Sequence, residues 1–223
     1  MTERAALVAG ATGLVGGHCL DLLLADPGYA AVHSVGRRPS GRTSPKLTEH
    51  IVDFADLANL TTIAAVDLSV FCCLGTTMRR AGSRAAFRRV DLEYPLALAH
   101  AARDVGARCF VVVSALGADP GGATFYARVK GELERELRAV GFPSLIIARP
   151  SLLLGDRTEF RLGERVAAML GRVVGSLLVG GLRRYRPIHA RMVARALGRL
   201  ADERPPGVRV VESHELAELA SVT

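Results

Sequence analysis

The 223-residue chain has no tryptophan, four cysteines and only two lysines among its 29 basic residues. Cys19, Cys72, Cys73 and Cys109 show no CxxC or Cys/His ligand spacing, so neither a disulfide framework nor a metal site is expected. They read instead as small buried hydrophobes. Also lacking is the basic, apolar and cleavage-site pattern of a secretory signal, and the expected location is cytoplasmic. The most apolar stretch, residues 166–182, is broken by Gly171, Arg172, Gly175, Gly180 and Gly181. A membrane span needs about 20 consecutive apolar residues, so no transmembrane segment is expected. That stretch reads as a pocket wall or dimer contact. The sharper alternative is peripheral contact with anionic lipid through Arg183-Arg184-Tyr185-Arg186.

The net charge is +7, but the arginines are scattered and form no basic run, so no nucleic-acid partner is expected. Against this arginine-rich background Lys46 and Lys130 stand out, because a lysine kept among arginines points to chemistry that a guanidinium cannot perform. Length and a 49% hydrophobic composition fit one domain over residues 1–223, as a monomer or homodimer.

Near the start, an apolar strand, Ala5-Ala6-Leu7-Val8-Ala9, runs into Gly10-Ala11-Thr12-Gly13-Leu14-Val15-Gly16 and then a leucine-rich helix. This is the pattern of a dinucleotide-binding turn. One glycine makes the tight turn, one lets backbone approach a pyrophosphate, and one lets helix and strand pack closely. The helix start then offers free N–H groups to phosphate. Further strands are expected at residues 31–36, 50–54, 68–74, 109–113, 145–148 and 208–211. Helices are expected at 83–106, with a kink or boundary at Pro95, and at 125–140. Such alternation predicts a doubly wound parallel α/β sheet, whose ligands bind beyond the carboxyl ends of the strands.

The residues after those strands carry the candidate chemistry. After the second come Arg37 and Arg38, where NAD-binding chains place an acidic residue for the ribose, and this favours NADP(H) over NAD(H). Ser114 ends the fifth strand. Tyr126 and Lys130 then follow at helical i, i+4 spacing, on one face. In this constellation Tyr126 exchanges a proton with a carbonyl or alcohol, Lys130 holds the nicotinamide ribose and favours phenolate, and Ser114 hydrogen-bonds the reacting oxygen. His189 reads as structural. Glu132, Glu134, Arg135, Glu136 and Arg138 read as a solvated helix face.

The chain resembles the short-chain dehydrogenase/reductase superfamily, in particular its atypical branch of NAD(P)H-binding proteins similar to the Tat-interacting protein. Besides the glycine turn, the resemblance rests on Cys73-Leu74-Gly75-Thr76-Thr77, Ser114-Ala115-Leu116-Gly117-Ala118-Asp119 and Phe125-Tyr126-Ala127-Arg128-Val129-Lys130-Gly131-Glu132. Arg149-Pro150-Ser151-Leu152-Leu153-Leu154-Gly155-Asp156-Arg157 and Pro187-Ile188 extend it. It implies a Rossmann fold with a small C-terminal substrate-side portion, in which residues 155–190 contribute the substrate pocket. It also implies that Asp53 and Phe54 flank the adenine, that Leu74-Gly75-Thr76 passes beside the cofactor, and that Pro150 and Ser151 lie near the nicotinamide. Where many superfamily members carry an asparagine, this chain has Gly75 and Asp91. The function expected is NADP(H)-dependent oxidoreduction of a small carbonyl or alcohol. The alternative is a non-catalytic NADP(H)-binding regulator that contacts a protein partner.

Overall fold

The computed structural model describes residues 4–54, 67–155 and 180–221. Its strands are β1 (Arg4–Ala9), β2 (Tyr29–Gly36), β3 (Leu47–Ile51), β4 (Asp67–Cys72), β5 (Cys109–Val113), β6 (Ser144–Arg149), β7 (Leu153–Leu154), β8 (Ile188–His189) and β9 (Gly207–Glu212). Seven of them form one sheet in the order β3-β2-β1-β4-β5-β6-β9, and every pairing is parallel. This is the Rossmann arrangement, with the order reversing between β1 and β4. β7 and β8 make a separate two-stranded sheet.

The central strands lack polar/apolar alternation because both faces of the sheet are covered. On one face Leu7, Val70, Phe110 and Ile147 meet Phe87, Leu98, Val129, Leu133 and Leu137. These come from α3 (Arg84–Arg88), α4 (Tyr94–Asp104) and α5 (Phe125–Val140). On the other, Ala6, Val8, Phe71, Val111 and Ile146 meet α1 (Leu14–Ala25), α6 (Ala190–Glu203) and α7 (Ser213–Ser221). Val193, Leu197 and Leu200 of α6 are fully buried, and each such side chain contributes about 1.5–3 kcal/mol of transfer free energy.

Local boundaries depart furthest from the sequence expectations in two places. The third strand spans Leu47–Ile51 and not 50–54, because its partner β2 stops at Gly36, opposite Ile51. The expected 83–106 helix begins at its Ser83 cap, whose hydroxyl accepts from the Ala86 N–H, but between α3 and α4 it widens into a π-turn at Arg89–Glu93. Pro95 falls in the first turn of α4, where a missing N–H is tolerated. The π-turn carries Asp91 into the interior. Most of the apolar 166–182 stretch, and of the expected 155–190 pocket segment, lies outside the described residues. Among the described residues no helix is long and apolar enough to cross a membrane.

Candidate functional site

A cleft of about 830 Å³ opens at the carboxyl ends of β1, β4 and β5. Its floor is the glycine turn. Gly10 adopts φ +87°, and a Cβ there would lie 2.6 Å from the Cys73 carbonyl oxygen. A Cβ on Gly16 would lie 2.2 Å from the Gly10 oxygen, so the two glycines let α1 sit directly on β1. Gly13 caps α1 without a side-chain hydrogen bond, and the first turn holds no acidic residue. Among the described residues no side chain claims its N–H groups, which suits an anionic pyrophosphate. Thr12, Gly13, Leu14 and Val15 line the cleft, as do Leu74, Gly75 and Thr76 opposite and Ser151 further along.

Of the arginine pair expected to meet a 2′-phosphate, Arg38 lines the cleft and Arg37 is not among its described lining residues. Two arginines that the sequence did not single out join Arg38: Arg42 and Arg80. Arg42 is held by Asp21, with Nε 2.9 Å and Nη2 3.1 Å from its carboxylate oxygens. Arg80 lies on the short helix α2 (Met78–Ala81), just past the Leu74-Gly75-Thr76 segment. Asp53, Phe54 and Pro150 are likewise not among the described lining residues. Phe54 is buried and stacks on Tyr94, with ring centroids 5.4 Å apart.

Tyr126 and Lys130 both reach the cleft from one face of α5. Gly131 is what lets that helix approach, because a Cβ there would lie 2.1 Å from the Pro120 nitrogen. The Lys130 side chain is only 3% exposed, and its Nζ lies 2.8 Å from Oδ1 of Asp91, itself 1% exposed. Asp91 Oδ2 accepts the Thr76 N–H at 2.8 Å. One buried carboxylate thus ties Lys130 to the backbone of the cleft wall. Burial would lower the lysine pKa, but Asp91, with a smaller contribution from Tyr126, raises it above its ordinary value. For Tyr126 the net shift runs away from phenolate, although Lys130 acts in the expected direction. Burial pushes its phenol up, Lys130 pulls it down, and Asp91 offsets part of that pull. The residue is 41% exposed, so water in the open cleft moderates the burial effect. The remaining lysine, Lys46, has a structural place, donating to the Asp26 carbonyl at 2.9 Å beyond the end of α1.

Ser114 lines the cleft beside this pair, and its hydroxyl donates to Glu134 Oε1 at 2.6 Å. Glu134 does not belong to a solvated face: it is 3% exposed and clamped by Arg149, with Nε to Oε1 at 3.0 Å and Nη2 to Oε2 at 2.6 Å. The same arginine reaches Glu212 Oε1 at 3.3 Å, joining the ends of β6 and β9. A charged residue on α5 is buried here because a guanidinium from the neighbouring strand meets it. The i, i+4 step from Lys130 to Glu134 was the available signal, since it puts both on the face of Tyr126. Ser151 donates to the Arg186 carbonyl and accepts from the Ser213 hydroxyl at 2.9 Å, so it too is fixed by the fold. Cys19, Cys72 and Cys109 are buried as expected, but Cys73 is only half-buried and lines the cleft.

The comparisons with known proteins agree with this geometry. Solved structures with the same fold include MoeE5 in complex with UDP-glucose and NAD, at TM-score 0.68 and 22% identity, covering 97% of this chain and 81% of that one. A UDP-glucose 4-epimerase from Thermotoga maritima aligns at TM-score 0.67 and 19% identity, with the same coverage. Among curated proteins, "Protein fmp52, mitochondrial" of Emericella nidulans is 35% identical over 211 residues, covering 89% of both chains. Its namesake from Eremothecium gossypii is 33% identical over 217 residues, covering 96% of both. "Protein HTATIP2" of Rattus norvegicus is 34% identical over 170 residues, covering 75% of this chain and 70% of its own. The mitochondrial designation of the Fmp52 relatives overturns the cytoplasmic expectation. That expectation rested on the lack of a secretory pattern, which speaks to export and not to an organelle. The sequence matches the NAD(P)H-binding family over residues 10–174, spanning the glycine turn, Ser114, Tyr126 and Lys130, and the chain belongs to that family.

Proposed function

We propose that this chain is an NADP(H)-dependent oxidoreductase acting on a small carbonyl or alcohol, with Tyr126 as the proton-exchanging group. The observation that carries this proposal is the placement of Tyr126 and the buried, charged Lys130 on one wall of the cleft that begins at the glycine turn. The unclaimed α1 N-terminus and the close backbone packing at Gly10 and Gly16 fit a pyrophosphate, and Arg38 with Arg80 supplies cations for a 2′-phosphate. When bound, the nicotinamide supplies or accepts the hydride. Tyr126 Oη gives its proton to the oxygen of a carbonyl undergoing reduction, or takes one from an alcohol undergoing oxidation. Lys130 holds positive charge beneath the phenol, and Leu152 and Leu153 provide apolar wall.

A second proposal, a non-catalytic NADP(H)-binding regulator, is favoured by one observation: Asp91 already neutralises Lys130, leaving the Tyr126 phenol above its ordinary pKa. Calorimetric titration with NADPH and NADH tests the premise common to both, and selective NADPH binding is expected. Tyr126→Phe then separates them. Loss of turnover with nearly unchanged NADPH affinity supports the enzyme, whereas unchanged turnover removes Tyr126 from the chemistry.

A further inference from the structure

We propose that Glu134 is a positioning residue that fixes Ser114 as a hydrogen-bond acceptor toward the cleft, so that the site selects carbonyl substrates bearing a neighbouring hydroxyl. A serine hydroxyl has one proton to donate and two lone pairs with which to accept. Here the proton goes to Glu134 at 2.6 Å. The Arg149 fork, at 3.0 and 2.6 Å, holds that carboxylate in place as an acceptor. Glu134 is 3% exposed and Ser114 is 4% exposed, so water does not compete freely for this bond. Charge-assisted bonds of this kind are the strong ones, and breaking this one would leave a buried carboxylate oxygen short of a donor. Ser114 therefore presents lone pairs to a ligand in the cleft.

A plain carbonyl oxygen is also an acceptor and gains nothing from such a partner. A hydroxyl on the adjacent carbon supplies the missing donor, while the carbonyl oxygen remains available to the Tyr126 proton. This gives Tyr126 and Ser114 separate tasks on one substrate: the tyrosine serves the reacting oxygen and the serine its hydroxylated neighbour. The inference rests on the oxidoreductase proposal for its substrate class, but the polarity of Ser114 is a property of the protein alone.

The test uses a matched pair of probes, 3-hydroxybutan-2-one and butan-2-one, with the full chain. Two readouts are taken: NADPH consumption, and probe binding by saturation-transfer NMR with and without NADP⁺. The wild-type protein is expected to favour the hydroxyketone by about tenfold or more, the worth of one well-made hydrogen bond. Glu134→Met returns the serine proton to the cleft, and Ser114→Ala removes the acceptor. In both variants the preference is expected to fall toward unity. Should Glu134→Met fail to fold, Ser114→Ala decides alone. Equal binding of the two probes to wild-type protein, binding of neither, or a preference that survives Ser114→Ala overturns the inference. A hydroxyketone preference in binding, abolished by Ser114→Ala but unaccompanied by NADPH consumption, upholds the inference about Ser114 and counts against the oxidoreductase proposal.

Discussion

Replacing Lys130 with methionine keeps the stem of the side chain and removes its charge, leaving Asp91 buried with the Thr76 N–H as its remaining hydrogen-bond donor among the described residues. Both partners are at most 3% exposed, so solvent screens their 2.8 Å contact very little. Removing one member of such a pair costs about 3–5 kcal/mol, because the survivor is an uncompensated buried charge. For a chain of this size each kcal/mol lowers Tm by about 2–4 °C, so the expected fall is roughly 6–20 °C. The double variant Asp91→Leu/Lys130→Met removes both charges and should recover most of that loss. What remains is about 1–3 kcal/mol for the orphaned Thr76 N–H. The sign with pH follows from the raised Lys130 pKa. Its contribution is complete below the ordinary lysine value of about 10.4 and is lost only as pH climbs through the higher folded-state value. Urea unfolding at pH 7 of wild type, both single variants and the double variant closes the cycle. A Lys130→Met cost below about 1 kcal/mol, or strictly additive single effects, would refute the view that this pair is buried and coupled.

Other consequences are equally direct. Arg38→Ala with Arg80→Ala should weaken NADPH binding far more than NADH binding in calorimetry, and equal weakening would reject the assignment of these cations to a 2′-phosphate. Gly131→Ala places a methyl group 2.1 Å from the Pro120 nitrogen, and since backbone must yield, stability should drop by about 1–3 kcal/mol, read from the urea midpoint. His33 Nδ1 and His50 Nε2 lie 3.0 Å apart on β2 and β3. Burial lowers the pKa of both, and for His33 the neighbouring His50 lowers it further. The stability they permit is therefore present above pH of about 6.5 and is lost as pH falls from there toward their lowered folded-state values. His33→Val should flatten the difference between urea midpoints at pH 7.5 and 5, and an undiminished difference would clear this pair of responsibility.

The strands at the centre of the sheet and the Phe125–Val140 helix were legible from residue order because burial on two faces, or on one helical stripe, leaves a periodic apolar imprint. The same holds for the glycine turn, where the backbone tolerates no side chain at Gly10 or Gly16. The i, i+4 spacing likewise puts Tyr126 and Lys130 on one face. Pairing across elements left no such imprint. Ile51 ends β3 because Gly36 ends β2, and Arg38 faces the cleft while its neighbour Arg37 does not line it among the described residues. Asp91 and Glu134 are ordinary acidic residues by local pattern. They are buried because Lys130 and Arg149, brought to them by the π-turn and by β6, meet their charges at 2.8 and 2.6 Å. Sequence thus determined the elements and which residues share a face, since those depend on local geometry. Only the tertiary structure decided which charges are neutralised, and with them the polarity of Ser114 and the proton affinity of Tyr126, because electrostatic energy depends on partners distant along the chain.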